Sequence, residues 1–145
     1  MRVRRRVGAG VAVCRPAKPD GSAVLLIRRG GCGLAGWGRW SLPGGGKAWW
    51  ETPPLAARRE LREETGLRVG ALTRLGVWRG PVHRYTSPDG NVVDWTTHVF
   101  VAAYAGGEVR AGDDAAQARW WPRAALPAEV SGATAAYFAA LGARA

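Results

Sequence analysis

The sequence predicts a strand-rich domain of mixed α/β (α+β) class with two main helices. Three observations carry that expectation. The chain has 145 residues, the size of one domain, so residues 1–145 are read as a single unit. Apolar residues make up 47% and charged residues 22%, ordinary globular values that exclude wholesale disorder. Short β-rich runs, each bounded by Gly, Pro or Asp, surround two stretches with helical spacing.

Val7–Cys14 reads as the first strand and Ala23–Arg29 as the second, joined as a hairpin by the turn-rich Pro16–Gly21. Gly30–Gly38 is a glycine-rich loop, and Arg39–Leu42 a short extended piece stopped by Pro43 and Gly44-Gly45-Gly46. A helix follows. Thr52 is its N-cap, with Pro53 and Pro54 in the first turn, where proline costs least. Leu55, Ala56 and Leu61 supply its apolar stripe, and Gly66 stands where a helix C′ glycine belongs. Val69–Trp78 and Val92–Tyr104 read as strands, the second entered across the turn Ser87-Pro-Asp-Gly90. Ala118–Trp121 is a last short strand and Thr134–Leu141 a C-terminal helix.

Several function classes are set aside by composition. No apolar run approaches the roughly 18 residues of a membrane-spanning helix, so no membrane role is expected. The basic start Met1–Arg6 is followed by a short, glycine-broken stretch without a small-residue cleavage site, so secretion is not expected. Cys14 and Cys32 cannot form a disulfide framework and suit a reducing, cytoplasmic setting. Lys+Arg outnumber Asp+Glu by 21 to 11, a net charge of +10. Nineteen of the 21 are arginine, the better fork for phosphate, although a bias toward Arg, Ala and Gly codons accounts for much of the excess. No such bias explains eight tryptophans. A basic, aromatic-rich chain fits an anionic ligand carrying a flat ring.

Acid is scarce yet concentrated. Four of the 11 acidic residues, Glu51, Glu60, Glu63 and Glu64, fall within 14 positions. On a helix, Glu60, Glu63 and Glu64 project from one face and repel one another. A hard divalent cation turns that repulsion into attraction, and no His or Cys in the cluster favours zinc. The bland alternative is a charge-laced surface helix pairing these glutamates with Arg58, Arg59 and Arg62. The wider spacing overturns it. From Gly45 the chain reads G-x5-E-x7-R-E-U-x-E-E-x-G-U, with U apolar, filled by Gly45, Glu51, Arg59, Glu60, Leu61, Glu63, Glu64, Gly66 and Leu67. A chance match at a given start is on the order of 10⁻⁹ from average residue frequencies.

This pattern resembles the Nudix box. The resemblance implies a loop–helix–loop on a mixed β-sheet sandwiched between α-helices. It also implies hydrolysis of a phosphoanhydride in a nucleoside diphosphate linked to another moiety. By position, Glu60, Glu63 and Glu64 are the implied cation ligands, with the Gly44 carbonyl as a further one and Mg²⁺ (or Mn²⁺ in its place) as the cofactor. Glu51 and Arg59 are implied to interact, so that Arg59 orients the metal carboxylates. Glu63 and Glu60 are the first candidates for the base that deprotonates water. Asp114, rather than its neighbour Asp113, matches an acidic position that some members use from a later loop. One departure stands out: Lys47-Ala48-Trp49-Trp50 replaces the usual loop, without its glutamate at Ala48 or its glycine at Trp50.

Substrate contacts are assigned to Arg28, Arg29 and Arg39 for phosphate, of which only one of the adjacent pair Arg28 and Arg29 can face inward. Trp37, Trp49 and Trp50 are the candidates to stack on a base, whereas Trp78, Trp95, Trp120 and Trp121 read as packing residues. His98 is placed on the cleft by strand alternation. Leu25-Leu-Ile-Arg-Arg29 and Trp40-Ser-Leu-Pro-Gly44 are most similar to ADP-ribose pyrophosphatase-like and nucleoside-triphosphate-cleaving members. ADP-ribose is thus the first expected substrate, with an ordinary or oxidised (d)NTP the second. The alternatives are action on 5′-phosphorylated RNA ends, in keeping with the charge, and a non-catalytic nucleotide sensor. Many relatives are dimers, so the resemblance leaves a homodimer open, while the sequence itself does not set the oligomeric state.

Overall fold

A computed structural model of the chain describes residues 2–16, 21–29, 38–86, 89–112 and 115–143. Nine strands and two helices occur among them, in the order β1 (Val3–Pro16), β2 (Ser22–Arg29), β3 (Trp40–Ser41), β4 (Gly44–Gly46), α1 (Pro53–Thr65), β5 (Arg68–Val69), β6 (Thr73–Trp78), β7 (Arg84–Thr86), β8 (Val92–Gly106), β9 (Ala115–Pro122) and α2 (Gly132–Ala143). A 3₁₀ turn, Pro81–His83, precedes β7. The mixed sheet between two helices is the expected architecture.

The first strand organises the sheet. It runs parallel to β8 over twelve paired residues, from Val3↔Val92 to Cys14↔Ala103. Its other edge is divided. The tip pairs with β2 at Cys14↔Val24, Arg15↔Ala23 and Pro16↔Ser22, while Gly8–Gly10 pair with β4. The expected hairpin therefore exists only at its tip. The second strand goes on to pair with β9 and β3.

Strand alternation sorts the core into two layers. Ala9, Val11 and Val13 point to one face and pack with Leu25, Phe100, Ala102 and the Ala56, Ala57 and Leu61 stripe of α1. Ala12, Val24, Leu26 and Val99 point to the other and pack with Trp40, Leu42 and the Tyr137 and Leu141 side of α2. Leu55, expected in the α1 stripe, is instead exposed. It lies one residue before Ala56 on the helix and so points about 100° away from the core.

Both ends of α1 are closed by local chemistry. The Thr52 hydroxyl accepts from the Leu55 amide at 3.4 Å, Pro53 and Pro54 occupy the first turn, and Gly66 takes φ 76° while its amide donates to the Arg62 carbonyl at 2.9 Å. Two expectations need correction. Val69–Trp78 is not one strand but β5 and β6, both paired with β8, with the chain irregular from Gly70 to Leu72. Gly70 offers no side chain to pack on the sheet, which weakens a strand there. Gly44–Gly46, read as a stop, is itself a strand. A Cβ on Gly44 would lie 2.5 Å from the Ala9 carbonyl oxygen and 2.7 Å from Gly10 Cα, so only glycine lets these backbones approach and pair.

Candidate active site

A cleft of about 800 Å³ opens where β4 meets β1, and α1, β8, the 3₁₀ turn and α2 also contribute to its walls. Gly8, Gly10 and Gly44–Gly46 line it with backbone, Glu60 and Arg29 stand at the acidic helix, and Arg39 lies on the rim.

Arg59 gathers three carboxylates. Its Nε and Nη2 donate to Glu51 Oε2 and Oε1 at 2.7 and 2.8 Å, a bidentate pair. Its Nη1 donates to Glu60 Oε1 and to Glu63 Oε2, both at 3.1 Å, and its Nη2 also donates to the Gly46 carbonyl at 3.0 Å. One guanidinium thus ties the loop before α1, the helix face and β4 together.

Glu51 is buried and further accepts from the Ala48 amide at 2.8 Å. The Arg59 guanidinium, followed by that amide, holds its carboxyl down at about 2. Its ordinary value is 4.5, so ionised Glu51 favours the folded state above pH ~4.5 and this contribution is lost as pH falls toward 2. Urea midpoints measured at pH 7, 4.5, 3 and 2 are expected to fall more for the native sequence than for Glu51→Gln across that window. Parallel curves would contradict the linkage.

Glu64 is fully buried on the same helix. Its Oε1 accepts from the Gly44 amide at 2.8 Å and its Oε2 from Arg29 Nη1 at 2.8 Å. Arg29 Nη2 donates in turn to the Gly44 carbonyl at 2.7 Å. The expected metal carbonyl and one expected metal carboxylate therefore already converge on a single positive charge. Glu60 sits against Gly45 so closely that a Cβ there would lie 2.6 Å from its Cδ. Burial, more than Arg59 offsets it, raises the Glu60 pKa.

Among the described residues no three His, Cys, Asp or Glu side chains yet converge as a ready metal cage. Arg29 and Arg59 are the cations paired with them. The donor set is all hard oxygen, however, and two guanidiniums face four carboxylates, so the cluster keeps a negative balance. A small divalent ion fits this chemistry.

The remaining assigned residues divide. Arg29 reaches the site, whereas Arg28 turns away to the Gly38 carbonyl at 2.7 Å and toward Glu129 at 3.7 Å. Arg39 lines the cleft. Trp49 and Trp50 lie on a turn, 91% and 64% exposed, and do not line it. The departing loop closes without its glycine, because the Glu51 amide donates to the Ala48 carbonyl at 3.1 Å and Lys47 Nζ donates to the Ala48 and Glu51 carbonyls at 3.0 Å each. Trp37 and Asp114, like Asp113, lie outside the described residues. His98 shares the sheet face of Phe100, opposite Thr97, and its Nδ1 meets Arg74 Nη1 at 3.1 Å instead of lining the cleft.

In its place the cleft is lined by His83, Tyr137 and Trp95. Nothing local in the sequence marks His83, which sits on the 3₁₀ turn against a residue 54 positions away. By sequence Trp95 reads as a packing residue, and the structure differs. Trp78 and Trp121 do pack on the second core layer, but Trp95 lies over the glycines Gly8 and Gly46 with Arg6 beside it. Alternation does place Trp95 on the Val99 face; the missing signal was which strand lay alongside.

An acidic capped helix facing a glycine-lined cleft, on a mixed sheet between two helices, defines the class. The description NUDIX domain matches residues 4–141, and the chain belongs to that family. Among curated relatives, the ADP-ribose pyrophosphatase of Methanocaldococcus jannaschii is 38% identical over 104 residues, covering 72% of this chain and 57% of that protein. The 8-oxo-dGDP phosphatase NUDT18 of Mus musculus is 32% identical over 111 residues, covering 74% of this chain and 31% of that protein. The chain thus spans between about a third and just over half of these two relatives. The crystal structure of a MutT NUDIX hydrolase from Burkholderia pseudomallei superposes with a TM-score of 0.78 at 28% identity, covering 95% of this chain and 98% of that one. No helix among the described residues is long and apolar enough to cross a membrane.

Proposed function

We propose that this chain hydrolyses the phosphoanhydride of a nucleoside diphosphate linked to a second moiety, with a divalent cation as cofactor. The observation that carries the reading is the acidic face of α1, with Glu60 against the glycine strand and Arg59 bridging Glu51, Glu60 and Glu63. The Glu60, Glu63 and Glu64 carboxylates and the Gly44 carbonyl would hold Mg²⁺, with Mn²⁺ as a substitute. Such an ion supplies charge neutralisation of the diphosphate and a more acidic water. Glu60 or Glu63 takes the proton of the attacking water, and Glu60 is the one that lines the cleft. Arg59 keeps both carboxylates in place, and Arg29 and Arg39 grip phosphate oxygens as planar forks.

ADP-ribose is the first substrate, supported by the name of the Methanocaldococcus jannaschii relative, and an ordinary or oxidised (d)NTP is the second, supported by a Mycobacterium tuberculosis relative named putative 8-oxo-dGTP diphosphatase 3. Incubated with Mg²⁺ and a nucleotide panel, the protein is expected to convert ADP-ribose to AMP and ribose 5-phosphate. EDTA should abolish turnover, and added Mg²⁺ or Mn²⁺ should restore it. Metal-replete protein that turns over no member of the panel would sink the reading. Selective cleavage of 5′-triphosphate RNA over free nucleotides would move the substrate to RNA ends.

A further inference from the structure

The cleft is longer than a diphosphate alone requires. From Gly46 it crosses β1 at Gly8 and β8 at Thr97, and it ends on Arg84 and Tyr85 of β7, which pairs with β8. Three strand spacings come to about 14 Å, room for the attached nucleoside as well. Beyond the acidic helix the walls change character. Trp95 presents an indole with the Arg6 guanidinium 5.2 Å from its centroid. Gly8 leaves room for that ring, since a Cβ there would come within 3.3 Å of it, and Gly46 lies in van der Waals reach of its far edge.

His83 is the second feature. It is only 7% exposed, lines the cleft, and its Nε2 is buried with no hydrogen-bond partner. A buried polar nitrogen without a partner costs free energy and calls for an explanation. Its other nitrogen is engaged: Nδ1 lies 3.4 Å from the Tyr137 hydroxyl. Burial pushes the Tyr137 phenol up to about 12, and it is hydrogen-bonded to Thr97. The phenol therefore keeps its proton, and with Thr97 and His83 both in reach it donates to one and accepts from the other. Burial lowers the His83 pKa, and in either neutral tautomer Nε2 is left with a bond to make, as donor or as acceptor. The acidic helix does not use this nitrogen.

We propose that this part of the cleft recognises the ring of a nucleotide, with His83 Nε2 hydrogen-bonding to a polar ring atom and the Trp95 indole stacking beside it. This deepens the hydrolase reading by assigning its base-recognition residues.

The chain has only two histidines, which makes a direct test feasible. In metal-free buffer, titrating AMP or GMP into ¹⁵N-labelled native protein is expected to shift the His83 Nε2 resonance. Ribose 5-phosphate, which lacks the ring, is expected to leave it in place. His83→Phe keeps the bulk against Tyr137 and removes the ring nitrogens, so purine mononucleotide affinity should fall about three- to tenfold. Trp95→Leu should weaken it about tenfold or more. Ribose 5-phosphate affinity should stay within about twofold in both variants. An unmoved His83 resonance, or equal weakening of ribose 5-phosphate, overturns the proposal. Because the titration uses the native protein, a variant that fails to fold leaves it decisive. Mononucleotide binding without turnover of any panel member would remove the hydrolase and leave ring recognition standing. Turnover with an unmoved His83 resonance would do the reverse.

Discussion

Glu63→Gln is expected to lower kcat on the preferred nucleotide by about 10²- to 10⁴-fold, the usual worth of a positioned acid–base group, while the thermal midpoint stays within about 2 °C. Glu63 is a partly exposed residue whose described contact is Arg59 at 3.1 Å, and its side chain is 41% exposed. Replacing it with an isosteric amide leaves Arg59 with Glu51 and Glu60 as partners. Little folding energy is at stake, since exposed i,i+4 pairs contribute a few tenths of a kcal/mol. The loss of a negative oxygen on the acidic face matters whether Glu63 holds the cation or takes the proton. Measuring kcat and the melting curve on the same preparation separates the two effects. Full activity in the variant would place the chemistry elsewhere on the helix.

Glu64→Gln is expected to behave differently, losing activity and about 3 kcal/mol of stability together. Glu64 lies on the same helix face but is fully buried and satisfies both the Gly44 amide and Arg29. An amide nitrogen in place of one oxygen must face a donor on one side or the other. Losing a charge-assisted bond in a buried position costs more than an exposed pair contributes. For a chain of this size the melting point should drop by about 10 °C. A variant as stable as the native protein would show that Glu64 is not the strut between α1 and β4 that the geometry makes it.

The contrast between these two glutamates also shows what one dimension carries. The spacing of Glu60, Glu63 and Glu64 placed all three on one helix face, and the caps at Thr52 and Gly66 fixed the ends of that helix, because each depends on neighbours within a turn or two. Which of the three would be buried depended on Arg29 and Gly44, brought in from other strands. The same limit governed the errors. Three consecutive glycines read as a break because their propensity is poor, yet they form β4 once the β1 backbone lies against them. Alternation put His98 on the cleft and left Trp95 as a packing residue, the reverse of what the structure shows. Without the β1–β8 pairing it could not tell that the Trp95 face was left open by Gly8, or that the His98 face met Arg74. His83 had no sequence cue at all, since its setting comes from α2.

The parallel pairing of β1 with β8 has a consequence for how the molecule comes into being. Val3 and Val92 are 89 positions apart, so the strand that carries Gly8–Gly10 has no central partner until most of the chain exists. Closing so distant a contact is slow, and folds dominated by such pairs lie at the slow end of the kinetic range. During synthesis at 5–20 residues per second, the first strand waits roughly 5–20 s for its mate. Until then its apolar run Val11–Val13 is exposed. The arginines that open β1, with their mutual repulsion, are well placed to keep nascent copies from pairing edge to edge in the meantime.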